Sequence, residues 1–269
     1  MPVTASGIKY DRAGDPGRPS VLLVHAGVAD RRMWDPQWPA LAAGFDVVRP
    51  DLRGFGDSAA APEGALDHVA DLLALLDGLG VDRCHVVGSS FGAGVAVELA
   101  LTAADRVASL LLAPPGGSLL AAMTPDLRAF VDAESAALDV GDLDAAVEAN
   151  VDAWVVGADR DRADADPAVA AAVRRMQRRA FEVGEALGEP EEVELDPPAL
   201  DRLGEVRAPT LVVVGRHDLD TSRDAADRVA RGIPGARRVD WPDVAHLPSM
   251  EQPARFTDLL LDWLAEHRA

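Results

Sequence analysis

The stretch His85-Val-Val-Gly88-Ser89-Ser90-Phe91-Gly92-Ala93-Gly94 decides the fold. A β-branched run enters a Gly-x-Ser-x-Gly frame, and a helical pattern from Phe91 to Thr102 follows at once. In a strand–turn–helix of this kind the central residue is forced into strained backbone geometry and its hydroxyl is exposed, while side chains two residues to either side would collide. The frame selects Ser90 and leaves Ser89 as filler. Glycines at 88, 92 and 94 do not give the G-x-G-x-x-G spacing of a dinucleotide-binding turn. Alone, the five residues equally fit a Gly/Ser-rich turn that merely closes a crossover, so the reading depends on partners.

Two partners follow in chain order. Immediately after the apolar run Leu211-Val-Val-Val-Gly215 comes Arg216-His217-Asp218, which places a carboxylate at a strand's carboxyl end. Open α/β sheets bind ligands there. Trp241-Pro-Asp-Val-Ala-His246-Leu-Pro-Ser-Met-Glu251-Gln-Pro253 then sets a histidine in a loop beyond the next strand. The order Ser90, Asp218, His246 is that of a nucleophile elbow with its acid and base. A serine hydroxyl needs such a base, because its own pKa lies far above neutral.

Outward from the elbow, short apolar runs alternate with helical patterns. Strands are expected at 20–25, 45–50, 83–88, 107–113, 209–215 and 236–241, with an N-terminal hairpin over 3–13. Continuous rather than alternating apolarity marks strands buried on both faces. Helical patterns cover 66–79, 91–102, 223–232 and 253–267. Such alternation means a mostly parallel central sheet flanked by helices. Residues 116–204 break it, with helical patterns and charge-rich stretches such as Ala158-Asp-Arg-Asp-Arg-Ala-Asp-Ala-Asp166 but no strand. That is too long for a loop and reads as a helical insertion after the strand at 107–113. The expected organisation is a core of 1–115 and 205–269 with 116–204 inserted.

The 269 residues suit one such unit, and 48% are hydrophobic. With 26 basic and 45 acidic side chains the formal net charge is −19. That excess argues against nucleic acid and against anionic lipid, both of which need clustered positive charge. The single Cys84 excludes an internal disulfide and a cysteine-based zinc cluster. No secretory-type start or spanning segment of roughly 20 apolar residues is seen, so a cytoplasmic location is expected.

With these residues in view, the chain resembles the α/β-hydrolase fold family, in its capped serine-hydrolase branch. Further matches are His25-Ala26-Gly27, similar to the family's His-Gly-x stretch, and the loop Asp51-Leu-Arg-Gly-Phe-Gly-Asp-Ser58. His246 through Pro253 resembles the family's His-x-x-x-x-Glu-x-Pro. The resemblance covers essentially the whole chain and implies roles residue by residue. Ser90 would attack an acyl carbonyl, His246 would relay the proton, and Asp218 would orient the imidazole. Backbone N–H groups of Phe91 and Gly27 would hold the oxyanion. Alanine at 26, where the family has glycine, leaves Val28 as an alternative donor.

The other histidines have plainer readings. His68 and His267 are expected at the surface, His85 in or near a strand, and His25 ordering the oxyanion loop. His217 adjoins Asp218 too closely to face both it and Ser90. Asp220 and Asp243 are rivals to Asp218.

Serine at the nucleophile position excludes the carboxylate-based dehalogenases and epoxide hydrolases of this fold. Loop 27–38 and the insertion should wall the pocket, with Val28, Met33, Trp34, Met123, Phe130 and Trp154 as apolar liners. Met176 and Phe181 are further candidates, and Arg31 or Arg32 could offset the acidic field locally. The resemblance extends generally to small-ester and enol-lactone hydrolases. The expected function is therefore cofactor-free, metal-free hydrolysis of a small, mostly apolar carboxylic ester or lactone. Alternatives on the same residues are carbon–carbon bond hydrolysis, perhydrolysis, cyanohydrin cleavage, or non-catalytic binding of a small molecule.

Overall fold

The computed structural model describes residues 2–4, 6–59, 65–188 and 190–267. Among the described residues seven strands form one sheet: β1 (Tyr10–Gly14), β2 (Ser20–Val24), β3 (Asp46–Pro50), β4 (Cys84–Ser90), β5 (Val107–Pro115), β6 (Thr210–Gly215) and β7 (Arg237–Trp241). Their order is β1-β3-β2-β4-β5-β6-β7. β1 runs antiparallel to β3, and all other pairs are parallel. Five strands, β2 to β6, are buried along almost their whole length, which is why they read as unbroken apolar runs. Edge strand β7 instead exposes Arg237 and Asp240.

The N-terminal hairpin is reduced to one bridge, Val3 to Lys9, because β1 commits its hydrogen bonds to β3. β5 also outruns its expected end. Pro114 and Pro115 stay in extended backbone, and Ser90 faces Pro115 across a register shift. A proline lacks only a donor, so it is tolerated at the end of a strand.

Helices α1 (Trp38–Gly44), α2 (His68–Gly78), α3 (Phe91–Thr102) and α7 (Asp220–Gly232) connect the strands, and α8 (Pro248–Glu251) and α9 (Pro253–Glu266) follow β7. Between β5 and β6 lie α4 (Pro125–Asp139), α5 (Leu143–Val151), a π-helical turn (Asp152–Val156) and the amphipathic α6 (Pro167–Leu187). No strand of this segment joins the sheet among the described residues. Two apolar clusters cover the two faces. One includes Leu22, Leu72, Leu99 and Val212; the other Leu23, Trp34, Trp154 and Phe256. No helix among the described residues is long and apolar enough to cross a membrane.

Candidate active site

Ser90 stands at the carboxyl end of β4 and heads α3, with φ +52° and ψ −116°. A positive φ at a residue with a side chain is strained, and it persists only where the surroundings impose it. Here α3 presses directly against the strands. A Cβ on Gly88 would lie 2.4 Å from the Gly92 carbonyl oxygen, and one on Gly92 would lie 2.4 Å from that of His25. Both collisions are with backbone, so the two glycines of the frame are steric requirements.

Asp218 follows β6, and His246 lies in the loop between β7 and α8; both are buried. Gly215 lets the two loops meet, since a Cβ there would fall 2.1 Å from the Ala245 carbonyl oxygen. The His246 Nδ1–H donates to Asp218 Oδ1 at 2.8 Å and Oδ2 at 2.9 Å. A carboxylate only accepts, so Nδ1 carries the proton and Nε2 is left as acceptor. The Ser90 hydroxyl donates to that Nε2 at 2.7 Å. The three residues thus form one continuous hydrogen-bonded relay.

The rivals lie elsewhere. The ring of His217 turns to the Ala158 carbonyl (3.2 Å), Asp220 heads the exposed end of α7, and Asp243 is exposed. His85 pairs with the Ser109 hydroxyl at 2.8 Å, and burial pushes its pKa down to about 4. Buried Cys84 has its thiol pKa pushed up to about 12, again by burial. His68 departs from expectation: it is 8% exposed rather than at the surface. Its ring stands edge-on to Phe91 at 5.2 Å, and burial lowers its pKa to about 4. His267 is partly buried at the end of α9. Its Nδ1 donates to the Trp263 carbonyl at 2.9 Å, and its ring centroid lies 3.9 Å from that of Trp263.

His25 lies beneath the loop that carries Gly27. Its Nδ1–H donates to the Ala26 carbonyl and its Nε2 accepts from Leu52 N–H, both at 2.9 Å. Burial keeps its pKa below the ordinary imidazole value, so the ring stays neutral in this tautomer. The loop Asp51–Ser58 braces it from behind. Phe55 packs on His25 at 5.0 Å, and the buried Asp51 accepts from Arg31 N–H and Asp57 N–H. Gly27 in turn abuts Phe91, whose Cβ lies 3.5 Å from where a Gly27 Cβ would be.

The expected liners divide into three groups. Phe130 packs on Trp154 at 5.1 Å, and Trp154 packs on the His246 ring at 4.3 Å. Val28 and Met176 are buried in the same apolar cluster. Met33 and Trp34 have no exposed surface: they are core, with Met33 sulfur under Ala26 N–H and Trp34 against Phe256. A side chain with no accessible surface faces no open cavity. Met123 is 50% exposed in the irregular segment before α4, so it is a surface residue. Arg31 is likewise committed elsewhere, to Asp51, Asp11 and Asp57. Asp11 lies in β1, and Asp51 and Asp57 in the loop after β3, two segments that a linear reading does not bring to Arg31.

What holds the histidine loop is visible only in the folded chain. The Glu251 carboxylate accepts from Ala245 N–H (3.0 Å) and Leu247 N–H (3.0 Å), the two amides flanking His246. Arg160, from the segment between β5 and β6, pairs with it at 3.3 Å. Burial raises the Glu251 pKa, against those hydrogen bonds. Hydrogen bonds to a charged acceptor are worth about 1.5–3 kcal/mol each. Glu251→Ala should therefore lower the unfolding free energy by about 3 kcal/mol, read from urea denaturation. An unchanged midpoint would show that the two amides find other acceptors.

Fold and relay together define a hydrolase-type α/β protein. A family model for the alpha/beta hydrolase fold matches residues 19–253, and the chain belongs to that family. It is 32% identical over 268 residues to a Variovorax paradoxus protein assigned as carbamate hydrolase RutD, covering 96% of both chains. Among solved structures it is similar to the enol-lactonase of Burkholderia xenovorans LB400, at 25% identity and TM-score 0.76 over 96% of each chain. A thermophilic esterase from Thermogutta terrifontis matches at 29% identity and TM-score 0.76, over 97% of this chain and 94% of that one.

Proposed function

We propose that the protein is a cofactor-independent serine hydrolase of a small, mostly apolar carboxylic ester or lactone. The Ser90–His246–Asp218 relay, anchored on a strained Ser90, carries this reading. His246 takes the Ser90 proton as Oγ attacks the acyl carbonyl, then gives it to the leaving alkoxide. Asp218 holds the imidazole in the required tautomer and balances the imidazolium. Water, activated by the same histidine, then releases the acid from the acyl-enzyme. The N–H groups of Phe91 and Gly27, whose residues abut, are assigned to the oxyanion.

In this reading residues 116–204 form a lid over the relay. Its Trp154 already lies on His246, and Arg179 of α6 reaches the Gly56 carbonyl at 3.0 Å. Apolar Phe130 and Trp154 suit an acyl or alcohol group without charge. A net charge of −19 favours a small-molecule partner over nucleic acid or an anionic membrane, and a cytoplasmic setting fits a buried, unpaired thiol.

A fluorophosphonate probe tests the mechanism. Rapid covalent labelling at Ser90 is expected, and it should disappear in His246→Ala. A well-folded protein that resists labelling would instead be a binding protein of this fold. A panel of short acyl esters, lactones, thioesters, amides and carbamates then tests the substrate class. Turnover of esters or lactones is expected, and turnover confined to amides or carbamates would overturn the assignment.

A further inference from the structure

The chain just after Trp154 touches both loops that carry the acid and the base. Gly157, at φ +80°, sits against the residues that precede them: a Cβ there would lie 2.1 Å from the His217 carbonyl oxygen and 2.8 Å from the Ala245 Cβ. Beside it, Ala158 N–H donates to the His217 carbonyl at 2.7 Å, and the His217 Nδ1–H returns a bond to the Ala158 carbonyl at 3.2 Å. The segment between β5 and β6 also grips the acid loop near its own start. There Asp220 N–H donates to Asp126 at 2.6 Å and the Thr221 hydroxyl to the Ala122 carbonyl at 3.2 Å.

Arg160 completes the contact on the side of the base. It belongs to the charge-rich stretch 158–166, yet its side chain is only 11% exposed, and that of its partner Glu251 only 7%. Its Nη1 faces Glu251 Oε2 at 3.3 Å, while its Nη2 donates to the Asp164 carbonyl at 2.8 Å, which fixes the approach of the guanidinium. Burial raises the Glu251 pKa, and the Ala245 and Leu247 amides and Arg160 oppose that rise. A buried carboxylate that loses its cation takes up a proton or turns toward water. Either way the amides flanking His246 lose an ionised acceptor, whose hydrogen bonds are about twice as strong as neutral ones. The imidazole then loses the fixed backbone that aims it at Ser90.

We propose that Arg160 is a positioning residue of the hydrolytic site: through Glu251 it clamps the backbone on both sides of His246 and so holds the imidazole between Asp218 and Ser90. This rests on the serine-hydrolase reading and adds to it a residue of the inserted segment, one that acts through the histidine loop rather than on the substrate. The stretch from Trp154 to Arg160 then belongs to the scaffold of the base, not to a cover that parts from it.

Two measurements on the whole protein test this. In steady-state kinetics on a short acyl ester, Arg160→Ala should lower kcat by about 10²-fold and leave KM in place, as a misplaced base does. Arg160→Lys, which keeps the charge, should recover most of that loss. Adding Arg160→Ala to Glu251→Gln should cost little beyond Glu251→Gln alone, because both act through one carboxylate. Arg160→Gln stands in should the alanine variant fold poorly. The second measurement needs no turnover: the low-field proton resonance of the His246 Nδ1–H should broaden in Arg160→Ala and return in Arg160→Lys. The buried His25 Nδ1–H, bonded to the Ala26 carbonyl, serves as the unaffected reference. A parent protein that neither labels with fluorophosphonate nor turns over would refute the hydrolase reading, and the resonance would then decide the positioning claim alone. A lowered melting temperature with kcat and the resonance unchanged would make Arg160 merely structural and overturn the proposal. A rise in KM alone, or full additivity with Glu251→Gln, would overturn it as well.

Discussion

Ser90→Ala should lower ester turnover by about 10⁴–10⁶-fold while the melting curve stays in place. The hydroxyl is poised to give up its proton through the 2.7 Å bond to His246 Nε2, and alanine removes it. Alanine carries a Cβ as serine does, so the turn at φ +52° is no more strained than before. What remains is whatever rate the oxyanion donors and binding supply without a nucleophile, about 10³–10⁴ over water in comparable relays. Because the relay acts as a unit, adding His246→Ala to Ser90→Ala should cost little more. Steady-state kinetics on a short acyl ester check both statements. Turnover within tenfold of the parent would remove Ser90 from the mechanism.

Gly92→Ala should have the largest effect on folding. The added methyl meets the carbonyl oxygens of His25 at 2.4 Å and Val24 at 2.6 Å, so no rotamer relieves it and α3 must move off β2. Overpacking of this kind costs about 3 kcal/mol, or about 6–12 °C in melting temperature for a chain of this size. The same shift carries the Phe91 N–H away from Gly27. A displacement of about 1 Å at such a site can cost about 10²-fold in rate. Stability and turnover should therefore fall together, measured by thermal melting and by kcat on the surviving folded fraction. A protein that melts normally would show that α3 has slack against β2.

The elbow was legible because its determinants are local: a strand, two glycines and a helix within one short stretch. β2 to β6 were legible because burial on both faces removes polar residues from the pattern. The order Ser90, Asp218, His246 was legible as order, and the folded chain brings their side chains within hydrogen-bonding distance. What escaped depends on contacts between distant segments. His68 reads as an exposed helical position, yet it is buried and packs against Phe91. Arg31 reads as a cation that could offset the acidic field near the pocket, but Asp11, Asp51 and Asp57 hold it. The short helix α1 escaped as well, since seven residues rich in alanine carry little periodicity. Met33 and Trp34 were apolar as expected, but apolarity does not tell core from cavity wall.

Trp154 also makes the relay visible in light. An excited indole passes an electron to an imidazolium at van der Waals range far more readily than to a neutral imidazole. With its ring centroid 4.3 Å from that of His246, Trp154 is placed so that its emission dims whenever the histidine carries a second proton. Trp263 stands in the same relation to His267, at 3.9 Å, so replacing Trp263 by phenylalanine leaves the signal to Trp154. Trp34 and Trp241 pack instead on Phe256, and Trp38 lies under the Arg49 guanidinium. The charge state of the proposed base is therefore written into the protein's own fluorescence, without a label.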